Sequence, residues 1–128
     1  MEKLEIEGTE ATPHIVCDAS EGVMKFSGRS IPENATSFYS PVIEWLTSYS
    51  SSPKESTNLN FDLDYINSIS QKIILDILYR LEDLSKDKGG LINVKWHYEK
   101  GDDEIKDEGE IFASKVDVNF ELIEIELK

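Results

Sequence analysis

The densest set of ligand-capable side chains is Gly101-Asp102-Asp103-Glu104-Ile105-Lys106-Asp107-Glu108-Gly109-Glu110, with six acids in ten residues. A calcium-binding loop needs oxygen ligands at alternating positions, then a Gly and a closing Glu. With Asp102 as the first ligand, Lys106 falls on the third, so the pattern fails. The run reads instead as a solvated helix start. His14 and His97 are the only imidazoles, and neither stands at metal-ligand spacing, so no metal site is expected. His97 falls on the polar side of an alternating segment and reads as a surface histidine. Paired with Asp62 or Asp64 on a neighbouring strand it would make an acid–base site, yet nothing places a nucleophile beside it. Cys17 is the single cysteine, which excludes an internal disulfide and a thiolate metal cluster. It reads as a small buried apolar residue. No glycine-rich loop fit to cradle a phosphate is present, and Gly89-Gly90 reads as a helix stop. No cofactor is expected. A small acid–base enzyme using His97 with Asp62 or Asp64 stands as the alternative of another class.

The remaining reactive groups are hydroxyls. Asn67-Ser68-Ile69-Ser70 joins an alternating stretch to a helical one. Asn67 or Ser68 is a natural N-cap, since either side chain can accept from the free N–H groups of the first turn. The same place suits a phosphate. On Ser68 it would meet the positive end of the helix dipole, orphan N–H groups and Lys72, so it would not melt the helix. It would instead add close to two negative charges to the surface.

These groups must be held by regular elements. Leu4 and Ile6 alternate with acids as a short edge strand. His14–Asp18 and Val23–Ser27 flank Ala19-Ser20-Glu21-Gly22 as a hairpin. Phe38, Val42, Trp45, Leu46 and Tyr49 have helical spacing. Pro41, lacking an N–H, belongs in that helix's first turn, with Ser40 as N-cap. Ser48–Pro53 is a loop. Leu59, Phe61, Leu63 and Tyr65 alternate with Asn58, Asn60, Asp62 and Asp64, a strand with one apolar and one polar face. Ile69, Ile73, Ile74, Ile77, Leu78, Leu81 and Leu84 mark one stripe of a long helix, closed by Lys86, Lys88 and Gly89-Gly90. Ile92, Val94, Trp96 and Tyr98 form another two-faced strand. A third helix is expected from about Asp102 to Lys115, with Gly109 counting against it. Val118, Phe120 and Leu122 open a last strand. There the apolar phase slips to Ile123, Ile125 and Leu127, which predicts a bulge or strong twist.

A sheet covered on both faces has continuous apolar strands, whereas a sheet covered on one face alternates. The expectation is therefore an α/β two-layer domain: a mixed β-sheet of about five to six strands, with helices mainly on one face. At 128 residues the chain reads as a single domain, 1–128. Acids outnumber Lys and Arg 26 to 13, a net charge of −13. That argues against nucleic acid and against anionic membrane surfaces, both of which call for clustered cations. No leader and no apolar run near the ~18 residues of a membrane helix is visible, so a cytoplasmic location is expected.

The chain also resembles the SiaC family of bacterial regulatory phosphoproteins. The resemblance starts at Thr12-Pro13 and is sharp at Gly28-Arg29-Ser30-Ile31-Pro32-Glu33-Asn34. It continues through Phe38-Tyr39-Ser40-Pro41, Trp45-Leu46 and Tyr65-Ile66-Asn67-Ser68-Ile69-Ser70-Gln71-Lys72. Trp96-His97-Tyr98, the Asp-Asp-Glu run at 102–104 and Gly109-Glu110-Ile111-Phe112-Ala113 complete it. Ser68 stands where the family's phosphorylation motif has Thr, and Ile69 where it has Ser; Ser70 and Lys72 are kept. The resemblance implies a STAS-like fold, similar to anti-sigma-factor antagonists, and a non-enzymatic phospho-switch. It implies phosphorylation at Ser68, with Ser70 as second candidate, by a serine/threonine kinase of GHKL type, and reversal by a PP2C-type phosphatase. It implies that the unphosphorylated form binds and activates a diguanylate cyclase, which sets cyclic-di-GMP and biofilm behaviour. The partner surface is expected to include Asn67, Ser68, Ser70, Lys72 and the Pro32-Glu33-Asn34 loop. An anti-sigma-factor antagonist of the STAS class, binding a GHKL-type kinase, is the alternative among binding modules.

Overall fold

The computed structural model describes residues 3–126. In chain order the elements are β1 (Leu4–Ile6), β2 (His14–Asp18), β3 (Val23–Ser30), α1 (Ala35–Tyr49), β4 (Ser56–Ile66), α2 (Ser68–Lys88), β5 (Leu91–Glu99), α3 (Asp103–Lys115) and β6 (Asn119–Ile125). The six strands form one sheet in the order β1-β2-β3-β4-β5-β6. β1, β2 and β3 pair antiparallel; β3, β4, β5 and β6 pair parallel. Each parallel pair is joined by one helix. Crossovers of one hand, right-handed by the general rule, that advance in one direction put all three helices on one face. The mixed two-layer sheet expected from alternation is what is found.

Burial shows why the strands alternate. Ile15, Cys17, Met24, Phe26, Leu59, Phe61, Leu63, Ile92, Val94 and Trp96 point to the helices and are buried. Phe26, Phe61 and Trp96 run across three strands with ring centroids 4.7 and 5.2 Å apart. The opposite face carries Lys25, Asn58, Asn60, Asp62, Asn93, Lys95 and Asn119. There the in-register row Asn58, Asn93 and Asn119 links its amides sideways, at 3.2 and 3.0 Å. Cys17 is buried as expected, and desolvation pushes its thiol up to about 12.

Three expectations need correction. α1 does not start at Ser40-Pro41. It begins at Ala35, with Asn34 as N-cap accepting from the Ser37 N–H at 3.1 Å, and Pro41 lies inside it. The hydrogen bond that Pro41 cannot make would have gone to the carbonyl of Ser37, an exposed residue that water can serve. The bulge expected in the last strand is absent: β5 and β6 pair without a break from Asn93↔Asn119 to Glu99↔Ile125, and Leu127 lies outside the described residues. A register shift occurs instead between β3 and β4. Leu63 faces Gly28 and Tyr65 faces Arg29, so Asp64 is an extra residue on β4. A bulge reverses the alternation beyond it. Tyr65, expected on the buried face, is 48% exposed, and Ile66 takes its place inside.

α3 forms despite Gly109, and the reason is contact. A Cβ on Gly109 would stand 2.4 Å from Cδ1 and 2.6 Å from Nε1 of Trp96. The helix backbone rests directly on the indole, whose Nε1–H donates to the Ile105 carbonyl at 2.9 Å. Gly at this position is a packing requirement, not a weak helix former left unexplained.

Candidate functional site

β4 runs out of the sheet past the Asp64 bulge and turns into α2 at Asn67. The Asn67 N–H bonds the Ser30 carbonyl at 2.9 Å, which docks the turn on the end of β3. Its side chain accepts from the Ser70 N–H at 3.0 Å, so Asn67 is the N-cap. Its amide nitrogen lies 3.5 Å from the Pro32 carbonyl, a long approach. The first intrahelical bond is Gln71 N–H to the Asn67 carbonyl at 3.0 Å. Ser68 and Ile69 are thus the first two helical residues, and their N–H groups precede the ladder.

Ser68 is exposed, and so is Lys72 one turn later. Ser70 differs. It is fully buried, and its hydroxyl accepts from Ser30 Oγ at 2.8 Å. Ser30 Oγ in turn lies 2.6 Å from the Tyr39 hydroxyl. Three buried hydroxyls from β3, α1 and α2 therefore form one chain under the turn. Burial pushes the Tyr39 phenol above its ordinary value. Of the two hydroxyls, that of Ser68 is open to solvent and that of Ser70 is closed off. In the β3–α1 loop, Pro32 is buried while Glu33 and Asn34 are exposed, and the Asn34 side chain is taken up by capping α1. The expected partner-surface residues thus divide into an exposed set, Ser68, Lys72, Glu33 and Asn34, and a supporting set, Asn67, Ser70 and Pro32.

One wall of this site was missed in the sequence. α3 comes alongside the start of α2, and a cleft of about 470 Å³ opens between them, lined by Asp64, Tyr65, Asn67, Ser68 and Gln71 on one side. On the other side stand Glu104, Asp107, Glu108 and Ile111. The acidic run read only as a solvated helix start is therefore the bank opposite Ser68. Asp102 still caps its own helix, accepting from the Ile105 N–H at 3.1 Å. Gln71 Nε2 donates to Glu108 at 3.2 Å, tying the two helices across the cleft. Burial pushes the Glu108 carboxyl above the usual range. The β4 bulge turns Tyr65 toward this cleft, where it and Ile111 are large exposed apolar side chains. The signal available in sequence was the charge run together with Ile111, but their nearness to Ser68 depends on how α3 packs.

The other candidates are placed elsewhere. His97 Nδ1 lies 3.0 Å from the Phe61 carbonyl, so that nitrogen carries the hydrogen and donates to backbone. Asp64 lines the cleft beside Ser68, and His97 does not. At the β1 edge, His14 Nε2 lies 2.9 Å from Glu5 Oε2, and this hydrogen bond holds the Glu5 carboxyl below its ordinary value. Glu7 joins them, with one ligand-capable atom of each within 4.8 Å of the others, a juxtaposition sequence spacing did not suggest. No described helix is long and apolar enough to cross a membrane.

Comparison with known proteins adds to this geometry. Residues 6–125 match the profile of a family described as SiaC family regulatory phosphoprotein. The chain is 31% identical over 112 residues to an uncharacterized protein of Pseudomonas aeruginosa, covering 88% of each. Its fold matches SiaC of Pseudomonas aeruginosa with a TM-score of 0.89 at 29% identity, over 98% of this chain and 100% of that one. It matches equally well, with a TM-score of 0.89 at 28% identity, a chain from the crystal structure of the diguanylate cyclase SiaD in complex with its activator SiaC. That match covers 95% of this chain and 99% of the other.

Proposed function

Since this chain belongs to the SiaC family of regulatory phosphoproteins, we propose that it is a non-enzymatic activator of a diguanylate cyclase, switched by phosphorylation of Ser68. It acts as one regulatory domain, 1–128, in the cytoplasm. A serine/threonine kinase of GHKL type adds the phosphate and a PP2C-type phosphatase removes it. The unphosphorylated form docks the cyclase and raises cyclic-di-GMP output.

The observation that carries this reading is the contrast between two serines in one helical turn. Ser68 is exposed at the first helical position, while Ser70 is buried and hydrogen-bonded. The turn is held by Asn67 and by the hydroxyl chain beneath it, so a phosphate on Ser68 leaves the fold intact and changes the surface. At a helix N-terminus the added charge is met by free N–H groups and by Lys72. What changes is the shape and charge that a partner reads.

The test is incubation with a GHKL-type serine/threonine kinase from the same organism and ATP, followed by mass spectrometry of the peptide spanning residues 67–72. Phosphate on Ser68 is expected, and its absence would overturn the switch. Ser68→Asp should keep the circular dichroism and melting temperature of the wild type while losing cyclase binding and activation. Full activation by Ser68→Asp would count against control at this position.

A further inference from the structure

The cleft beside Ser68 has a chemistry of its own. Four carboxylates line it, from Asp64, Glu104, Asp107 and Glu108, and no Lys or Arg does. Tyr65 and Ile111 supply apolar surface within it, 48% and 47% exposed. Large apolar side chains left in water at one place mark a surface that another molecule covers. Carboxylates on both banks select that molecule by charge.

We propose that this cleft is the docking groove for a basic amphipathic segment of the protein partner, a helix that presents Arg or Lys to the carboxylates and apolar side chains to Tyr65 and Ile111. This deepens the reading under Proposed function and rests on it for the partner being the one that Ser68 controls. The fit has two parts. Amphipathic helices lay apolar residues at i, i+3 or i+4 into such grooves, flanked by charges that fix register. Arg suits the rims, because its planar fork pairs with carboxylates in a defined geometry. The position of Ser68 also fixes how the switch works. A phosphate on Ser68 stands at the end of the groove beside Tyr65, where the apolar side chains of the segment must seat. A charged group there, phosphate or the carboxylate of Ser68→Asp, keeps its water and so prevents the apolar contact, and the phosphate also fills the space.

The experiment uses the full chain and a synthetic fluorescent helical peptide of Leu and Arg with one apolar face, plus a counterpart with every Arg replaced by Glu. Binding is followed by fluorescence anisotropy at physiological ionic strength. Two paired variants remove equal charge: Glu104→Gln with Asp107→Asn in the groove, and Asp83→Asn with Asp87→Asn near the far end of α2, about 25 Å away. The groove pair should weaken binding by about three- to tenfold and the distal pair by less than about twofold. Tyr65→Ala with Ile111→Ala should weaken it as well, with the circular dichroism unchanged. Equal losses from the groove and distal pairs would mean attraction by net charge alone and would overturn the proposal. So would binding of the Glu counterpart as tight as that of the Arg peptide. The peptide assay needs no cyclase. A groove that binds the Arg peptide in a protein that activates no cyclase supports the groove and refutes only the assignment of its partner.

Discussion

Replacing Gly109 with Ala sets helix propensity against packing. In an exposed helix the change gains about 1 kcal/mol. Here the new Cβ would lie 2.4 to 2.8 Å from three atoms of the Trp96 indole. Trp96 is fully buried between Phe61, Phe112 and Phe120, with ring centroids 5.2, 5.3 and 6.4 Å away, so it has nowhere to retreat. Overpacking of this kind costs about 1–3 kcal/mol. If α3 lifts off, the Trp96 Nε1 bond to the Ile105 carbonyl is lost and a buried donor is left bare, a further ~1–3 kcal/mol. After subtracting the propensity gain, the expected net loss is about 3 kcal/mol. A chain of this length has an unfolding entropy of about 270 cal/mol/K at its midpoint, so the melting temperature should fall by about 11 °C. Urea denaturation followed by far-ultraviolet circular dichroism measures the loss. Adding Trp96→Phe, which removes Nε1 and leaves a smaller ring with room to shift, should make the double variant less costly than the sum of the two singles. A Gly109→Ala protein as stable as wild type, or more so, would refute the contact.

Other outcomes follow from the same site and core. Asn67→Ala should cost about 1 kcal/mol in urea titrations, and Asn67→Asp close to nothing, because Asp caps equally well; a silent Asn67→Ala would show that the turn does not depend on its cap. In Ser68→Ala, the kinase should leave Ser70 unmodified by mass spectrometry, because that hydroxyl is buried; phosphate appearing there would show that the turn opens. Tyr39→Phe should cost about 1 kcal/mol, since it removes one link of the hydroxyl chain while Ser30 keeps Ser70 as partner. Native Cys17 should resist a disulfide reagent at pH 8 and react once urea unfolds the chain. Its folded value, near 12, lies above the unfolded 9.0, so the native state holds the thiol proton more tightly and stability should fall as pH rises from about 9 toward 12. Fast labelling of the folded protein would contradict the burial.

Where one physical signal acted alone, the sequence was a good guide. Strict alternation in β4 and β5 led to a one-sided sheet, and the Ile/Leu stripe of α2 with its Gly stop led to a helix closing at Gly89. That glycine adopts φ 77° and donates its N–H to the Ser85 carbonyl at 2.8 Å. Errors arose where a local rule met a tertiary one. Pro41 looked like a first-turn residue, but the buried side of α1 extends back to Ala35, and an exposed carbonyl tolerates the missing bond. The shift of apolar phase in β6 looked like a bulge, yet an edge strand half-buried on both faces needs none. The real bulge, at Asp64, leaves no compositional mark, and it decides that Tyr65 faces the cleft beside Ser68 instead of the core. Ile69 matched the helical stripe by spacing but sits at the first turn, where the stripe has already run past the sheet. The turn at Asn67 was legible because Asn and Ser ahead of a helical stripe read as capping residues. Its acidic wall was not, because it is assembled from β4 and α3, some forty residues apart.

Strand order equal to chain order has a consequence for how this surface comes into being. Every strand pairs with the one synthesised just before it, so no strand waits for a distant partner, and closing the sheet costs little loop entropy. During synthesis from the N-terminus, β1 to β4 can assemble as a growing edge. The turn at Asn67 then forms on Ser30 as soon as α2 docks. Of the groove's carboxylates, Asp64 comes with β4, and Glu104, Asp107 and Glu108 arrive only with α3. On this order of assembly Ser68 is in place before the α3 bank faces it. A chain cut short before Asp103 would thus present the serine without the groove, separating in time two properties that the finished protein holds together.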